Sequence, residues 1–221
     1  MTGFPTRPWA RAALTALLVA SALTAPVSAP RADAAAAPTE EVKGAITRVL
    51  KVLEDPALKA AGKEVERRAA IRQVANDMFD FGEMSRRSLG RHWRDRSPKE
   101  REEFVALFAD LLERSYISRI ETYSGERIQY TSERQEGDLG TVMTKIITKN
   151  GTEVPVEYRL HKKGDKWLIY DVGVEGVSLI NNYRTQFNKI IQTSSYEDLV
   201  RRMKTKQDEI RGDADAPTRK N

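Results

Sequence analysis

Residues 166–191, KWLIYDVGVEGVSLINNYRTQFNKII, change period halfway along. Trp167, Leu168, Ile169, Tyr170, Val172 and Val174 crowd around one acid, Asp171, a density of aromatic and β-branched residues that suits a pleated, largely buried strand. From there the spacing is helical: Val177, Ile180, Tyr183, Phe187, Ile190 and Ile191 share one face, and Ser178 stands where a helix takes its N-cap oxygen. A strand therefore hands the chain to a helix through Glu175-Gly176.

Upstream of this unit the period is two. Val154, Val156, Tyr158 and Leu160 alternate with Glu153, Pro155, Glu157, Arg159 and His161, so one face of this strand is apolar and the other wet. Pro155 marks an edge or a bulge. Gly164-Asp165 turns it into the strand quoted above, Asn150-Gly151 joins it to an earlier strand over 142–148, and Ile128 and Tyr130 mark the first. Strands joined by such short turns are antiparallel, because parallel neighbours need long crossovers. The expected fold is an α+β domain over residues 35–211. Its curved, four-stranded antiparallel sheet spans 127–175 and is covered on its apolar face by helices from both ends of the chain.

Those helices are expected over 39–123 and 178–211. Val42, Ile46, Val49, Leu50 and Leu53 share a face until Pro56 ends the run; Val65, Ile71, Val74, Met78 and Phe79 make a second; Phe81, Met84 and Leu89 make a third that stops near Gly90. Ser97-Pro98-Lys99-Glu100 combines an N-cap, a proline at the first helical position and a capping-box glutamate. It opens a long helix whose stripe runs through Phe104, Leu107, Phe108, Leu111, Leu112, Tyr116, Ile120 and Tyr123. A last helix opens on a capping box at Ser194 to Glu197 and carries Leu199, Val200 and Met203, and the polar residues 212–221 read as a disordered tail.

At the other end, Arg7 and Arg11 precede an apolar run from Ala12 to Leu23 and then small residues, the pattern of a secretory signal cut after Ala34. The run is shorter than the roughly 18 residues a membrane span takes. Cleavage would remove three arginines and one aspartate, lowering the net charge of +5 to +3, too mild for a nucleic-acid binder. The lack of cysteine excludes disulfides, thiolate metal sites, a cysteine nucleophile and a lipid-attached N-terminal cysteine. His92 and His161 fall on different elements, and two histidines are too few for a typical zinc site.

Candidates for chemistry are sparse. Gly176-Val177-Ser178-Leu179 lacks the second glycine of a nucleophile elbow, which leaves Ser178 a helix cap. Asp171 has two readings: it accepts hydrogen bonds from the following turn or pairs with Arg184 or another arginine, or it is a buried general base with Tyr158 or Tyr170 as electrophile. Arg86, Arg87, Arg91, His92, Arg94 and Arg96 surround Trp93. They form either a solvated helix face or, through Arg91, Arg94 and Arg96, a docking patch for an acidic partner or anionic headgroups. Apolar side chains are in surplus, and either fill one another or leave a cavity between sheet and helices.

Trp167, Tyr170-Asp171-Val172, Glu175-Gly176-Val177-Ser178-Leu179, Asn182-Tyr183-Arg184 and Phe187 together resemble the signature of the MlaC family, also called the Ttg2 or toluene-tolerance family. The likeness extends to Phe79-Asp80-Phe81, Met84, Leu89-Gly90, Trp93, Arg101, Phe104, Phe108, Leu111-Leu112, Tyr116 and Tyr158-Arg159, and covers residues 40–207. A glycine is common in the family where Ser194-Ser195 stand here. The resemblance implies a monomeric, non-enzymatic periplasmic carrier with an NTF2-like sheet, phospholipid as cargo and no cofactor. It would shuttle lipid between an outer-membrane lipoprotein and porin complex (MlaA-like) and an inner-membrane ABC-type transporter with an MlaD-like component, maintaining outer-membrane lipid asymmetry. Some relatives are associated with hopanoids, which keeps another lipid class open.

Two acyl chains hold on the order of 30 methylenes, so roughly 20 kcal/mol opposes bare passage through water, and a carrier must offset it with a dry pocket. The expected lining comes from the long helix through Phe108, Leu111, Leu112 and Tyr116, and from the sheet through Met143, Ile147, Val156, Tyr158, Leu160, Val172 and Val174. Ile180, Tyr183 and Phe187 complete it from the helix after the sheet. A register slip of one residue would reverse any strand's contribution.

Overall fold

In the computed structural model, which describes residues 37–215 and side chains as far as 205, the helical part precedes the sheet. It comprises α1 (Pro38–Glu54), α2 (Pro56–Lys59), α3 (Glu64–Met78), α4 (Phe81–Leu89) and α5 (Pro98–Glu121), with a 3-10 turn at Gly90–Trp93. The sheet follows as β1 (Arg127–Glu136), β2 (Leu139–Ile147), β3 (Glu153–Lys163), β4 (Lys166–Val174) and β5 (Val177–Ser178), before α6 (Leu179–Thr193) and α7 (Tyr196–Asp215). The expected export signal over 1–34 lies outside the described residues. Of the expected tail, 212–215 continue α7 and 216–221 lie outside the described residues. No described helix is long and apolar enough to cross a membrane.

The helix starts follow their caps. Ser97 and Glu100 close the capping box of α5, with Pro98 in its first turn. Ser178 Oγ accepts the Asn181 N–H at 3.0 Å and starts α6. In α7 the capping oxygen is that of Ser195, which accepts the Asp198 N–H at 3.1 Å, one residue beyond the expected Ser194.

The strands pair in the order β1-β2-β3-β4-β5, each antiparallel to the next. The sheet thus has one strand more than the four expected: β5 is two residues long and folds Val177 and Ser178 back onto Val174 and Gly173. The turn needs left-handed backbone at both Glu175 (φ 51°) and Gly176 (φ 80°); a side-chain-bearing residue is uncommon there.

Register decides which side chains meet the helices. Val142, Thr144 and Ile146 lie opposite Tyr158, Val156 and Val154, on the helix-covered face. Met143 and Ile147 therefore point to the other face, beside Glu157 and Glu153, and the expectation that they line an interior is corrected. On β4, Arg159 pairs with Asp171 but Leu160 with Ile169, so Tyr170 is an extra residue in a bulge. The bulge reverses the alternation, and Trp167, Ile169, Val172 and Val174 all reach the same face. A second bulge falls at Thr131 on β1, the outer strand, beyond which Ser132, Glu133, Arg134, Gln135 and Glu136 are all exposed.

Burial is divided among three clusters. Val42 of α1 packs with Val142, Leu160, Trp167 and Ile169 on the sheet; Leu53, Ile71 and Ile117 join α1, α3 and α5; Phe104, Phe108, Ile180, Phe187 and Leu199 join α5, α6 and α7. Helices do not all lie on the apolar face: Phe79 bridges Ile169 at the β4 edge, and α4 and α6 pack beside it. The tightest approach is at Gly140, where an added Cβ would stand 2.9 Å from the Pro38 ring and 3.3 Å from Trp167. Gly140→Val should therefore push α1 off the sheet and lower stability by about 1–3 kcal/mol, read as a lower urea midpoint; an unchanged midpoint would show that α1 yields freely.

Candidate functional site

Between the three clusters the interior is open. A cavity of about 770 Å³ is lined by Ile71, Ala75 and Asn76 of α3, by Phe79, Phe81 and Met84 around the start of α4, and by one side of α5. Val172, Val174 and Val177 of the last two strands and Leu179 and Asn182 of α6 complete it. The α5 contribution is a second stripe beside the aromatic one: Ala106, Ala109, Glu113, Tyr116 and Ile120 recur every three or four residues. Small residues in its first half leave this side open, whereas rings fill the Phe104–Phe108 side of the same helix.

The mouth is marked by exposed apolar groups. Ile120 is 36% exposed, Val174 44% and Val177 63%, and all three belong to the lining. Both carboxylates of the lining are paired with an arginine. Arg72 of α3 forks onto Glu113 of α5 at 2.6 and 2.5 Å, and Arg114 forks onto Asp110 at 2.7 and 2.8 Å. Further along the same gap, Arg67 and Arg68 hold Glu121 at 3.0 and 2.9 Å. An ionic seam thus ties α3 to α5 outside the Ile71–Ile117 contact.

Of the expected lining residues, Leu112, Tyr116, Val172 and Val174 reach the cavity. Phe108, Ile180 and Phe187 are instead buried in the helical cluster, where Phe108 meets Phe187 at 5.5 Å and Tyr183 at 5.1 Å between ring centres, and Leu111 and Tyr183 pack against that cluster. Val156 and Leu160 are buried on the helix-covered face, Leu160 under α1, and neither lines the cavity. Tyr158 packs in that sheet cluster, and burial pushes its hydroxyl up to about 12. The α3 wall and the Ala106–Ala109 stripe were not anticipated; alanines recurring at helical spacing beside the aromatic stripe are the signal that could have found them.

Asp171 points away from the cavity, on the face opposite Val172. It is 4% exposed and accepts from Ser178 Oγ at 2.6 Å, from the Ile180 N–H at 3.0 Å and from Arg159 Nη1 at 3.3 Å. Its partners are the following turn and Arg159, not Arg184. Tyr170 lies under the Arg87 guanidinium, 3.9 Å from its ring centre. Neither belongs to the cavity lining. Of the three arginines of the expected docking patch, Arg91 and Arg94 are exposed, but Arg96 is not free: it pairs with Glu100 at 3.1 Å and lies over the Tyr196 ring at 4.4 Å.

These features define a class, the α+β domains that keep an apolar cavity between a curved antiparallel sheet and its helices. The chain belongs to the MlaC family, whose model, described as MlaC protein, matches residues 43–205. It is 28% identical over 138 residues to the intermembrane phospholipid transport system binding protein MlaC of Haemophilus influenzae, across 59% of this chain and 64% of that one. The chain thus spans somewhat less than two thirds of that relative's length. It is 23% identical to the toluene tolerance protein ttg2D of Pseudomonas putida, across 72% of this chain and 75% of that one. Its fold matches a solved phospholipid-binding protein from Ralstonia solanacearum in complex with a phospholipid, with a TM-score of 0.71 at 24% identity, covering 79% of this chain and 98% of that one.

The seam has a pH signature. Burial works against the charge of Glu121, but Arg68 and Arg67 outweigh it and hold the carboxyl below the usual glutamate range. A folded-state value below the unfolded one, about 4.3, gives a contribution that is complete above that pH and is lost as pH falls through the depressed folded value. Glu121→Gln should be less stable than wild type at neutral pH and lose less stability between roughly pH 5 and pH 3; parallel acid limbs would show that the seam adds nothing.

Proposed function

We propose that this protein is a phospholipid carrier whose cavity takes up acyl chains and hands them on without chemistry. The observation that carries the reading is the cavity itself, 770 Å³ of space that the three packed clusters leave open, with an exposed apolar mouth. At roughly 30 Å³ per methylene, close to water's share of its liquid, such a space seats about 25 methylenes, between one and two acyl chains. Its volume lies inside the roughly 300–1,000 Å³ range of small-molecule sites. The name of the Haemophilus influenzae relative and that of the solved phospholipid complex support the same cargo. Leu112, Tyr116, Val172 and Val174 are the residues among those expected from sequence that would touch the tails, joined by Ile71, Phe79 and Ile117.

In this reading the protein is exported by the signal over 1–34, cut near Ala34, and works in the periplasm. It would pass lipid between an MlaA-like outer-membrane complex and the MlaD-like component of an inner-membrane ABC-type transporter, and so keep the outer membrane asymmetric. No cofactor or catalytic residue is needed. Arg91 and Arg94 are the exposed cations that would steer it to an acidic partner, whereas Arg96 is a strut between α5 and α7.

Native mass spectrometry of the protein purified from a periplasm should show bound phospholipid. Ala109→Trp, which fills the cavity from α5, and Val172→Asp, which places a charge in it, should each lose the lipid while keeping a cooperative thermal transition. Wild-type protein that carries no lipid, or filled variants that keep it, would refute the reading. Replacing Arg91 and Arg94 by Ser should slow association with the transporter component several-fold and flatten its salt dependence; unchanged rates would remove the docking role.

A further inference from the structure

We propose that Arg119 reads the phosphate of the cargo, so that the cleft selects lipids bearing an anionic phosphate over neutral lipids with the same tails. The proposal rests on the carrier reading and adds the chemistry of the headgroup. Three cations line the cavity: Arg72, Arg114 and Arg119. The first two are each held in a fork by a carboxylate, Glu113 and Asp110, and the carboxylates of the lining are used up in those pairs. Among the described residues the Arg119 guanidinium has no hydrogen-bond or ion-pair partner. The lining therefore carries one uncompensated positive charge and no uncompensated negative one.

Its position matches where a phosphate must come. Tails that enter the apolar cavity leave the glycerol and phosphate at the mouth, and Arg119 adjoins Ile120, one of the three exposed apolar residues of that rim. One helical turn back along α5 is Tyr116, also in the lining, whose hydroxyl is pushed up by burial and by Tyr183 while the charge of Arg119 pulls it the other way. Asn182 of α6, also in the lining, takes a hydrogen bond from Gln186 on its Oδ1 at 3.0 Å, and among the described residues its N–H₂ group has no hydrogen-bond partner. A guanidinium fork fits a phosphate's oxygens and is more weakly hydrated than an ammonium, so it can bind an anion at a half-wet rim. Because Arg119 is exposed, solvent screens the attraction and the selection is moderate.

The test offers the full-length mature protein equal amounts of phosphatidic acid and diacylglycerol with identical acyl chains in mixed micelles, and reads the bound lipids by native mass spectrometry. Wild type should favour phosphatidic acid by about tenfold, the scale of one charge-assisted hydrogen bond. Arg119→Gln should lose that preference through weaker phosphatidic acid uptake with diacylglycerol uptake unchanged, and Arg119→Lys should retain part of it. Equal uptake of both lipids by wild type, or an unaltered ratio in Arg119→Gln, would overturn the phosphate assignment and leave the carrier reading standing. Failure of wild type to take up either lipid would overturn both. Loss of the preference on adding a few millimolar inorganic phosphate would make Arg119 a free-anion site and overturn the lipid assignment.

Discussion

A buried carboxyl must find hydrogen-bond partners, and the way Asp171 finds them fixes the most intricate-looking part of the chain by simple means. Ser178 and the Ile180 N–H come from the segment after the β4–β5 turn, and Arg159 comes from the neighbouring strand. The Ser178 hydroxyl that donates to Asp171 also accepts from Asn181, so one carboxyl and one hydroxyl hold the start of α6 against the sheet. That start carries Leu179 and Asn182 to the cavity and places Val177 on its rim. The acid that looked most like a catalytic base is thus a joint, and it acts from the side of the sheet away from the opening.

The second constraint is geometric. Without the extra residue at Tyr170, the strict alternation of β4 would send Trp167 and Ile169 to one face and Val172 and Val174 to the other. With it, the first pair supports α1 in the sheet cluster while the second pair forms a wall of the cavity. The interior stays open because bulky side chains are committed elsewhere. The Phe187 ring meets those of Phe104 and Phe108 edge to face among the helices, and the side of α5 that faces the gap begins with alanines.

Much of this was legible in the residues. The handover from strand to helix at Ser178, the capping box at Ser97 and the apolar face of β3 follow from local chemistry, and each stands where the spacing put it. The parity of β2 was not legible, because both of its faces carry apolar groups and the buried face includes Gly140 and Thr144, types that do not announce burial. Nor could spacing separate filling from lining. Phe108 and Tyr116 belong to one periodic stripe, yet the first closes the helical cluster and the second faces open space. The two-residue strand β5 is too short to leave a pattern, and Arg96 looks like any exposed arginine until Glu100 and Tyr196 are seen around it.

The outer strand carries a further consequence. β1 presents unpaired amides along one side of the sheet, and a molecule that also shows bare valines at its opening would be liable to stack with its own copies into ribbons. The kink at Thr131 and the mixed-sign run Glu133, Arg134 and Glu136 spoil that template: a second copy laid alongside would meet a twisted rail and misplaced charges. Self-avoidance is thereby written into the margin of the sheet, far from the opening, and leaves the greasy rim at liberty to stay uncovered.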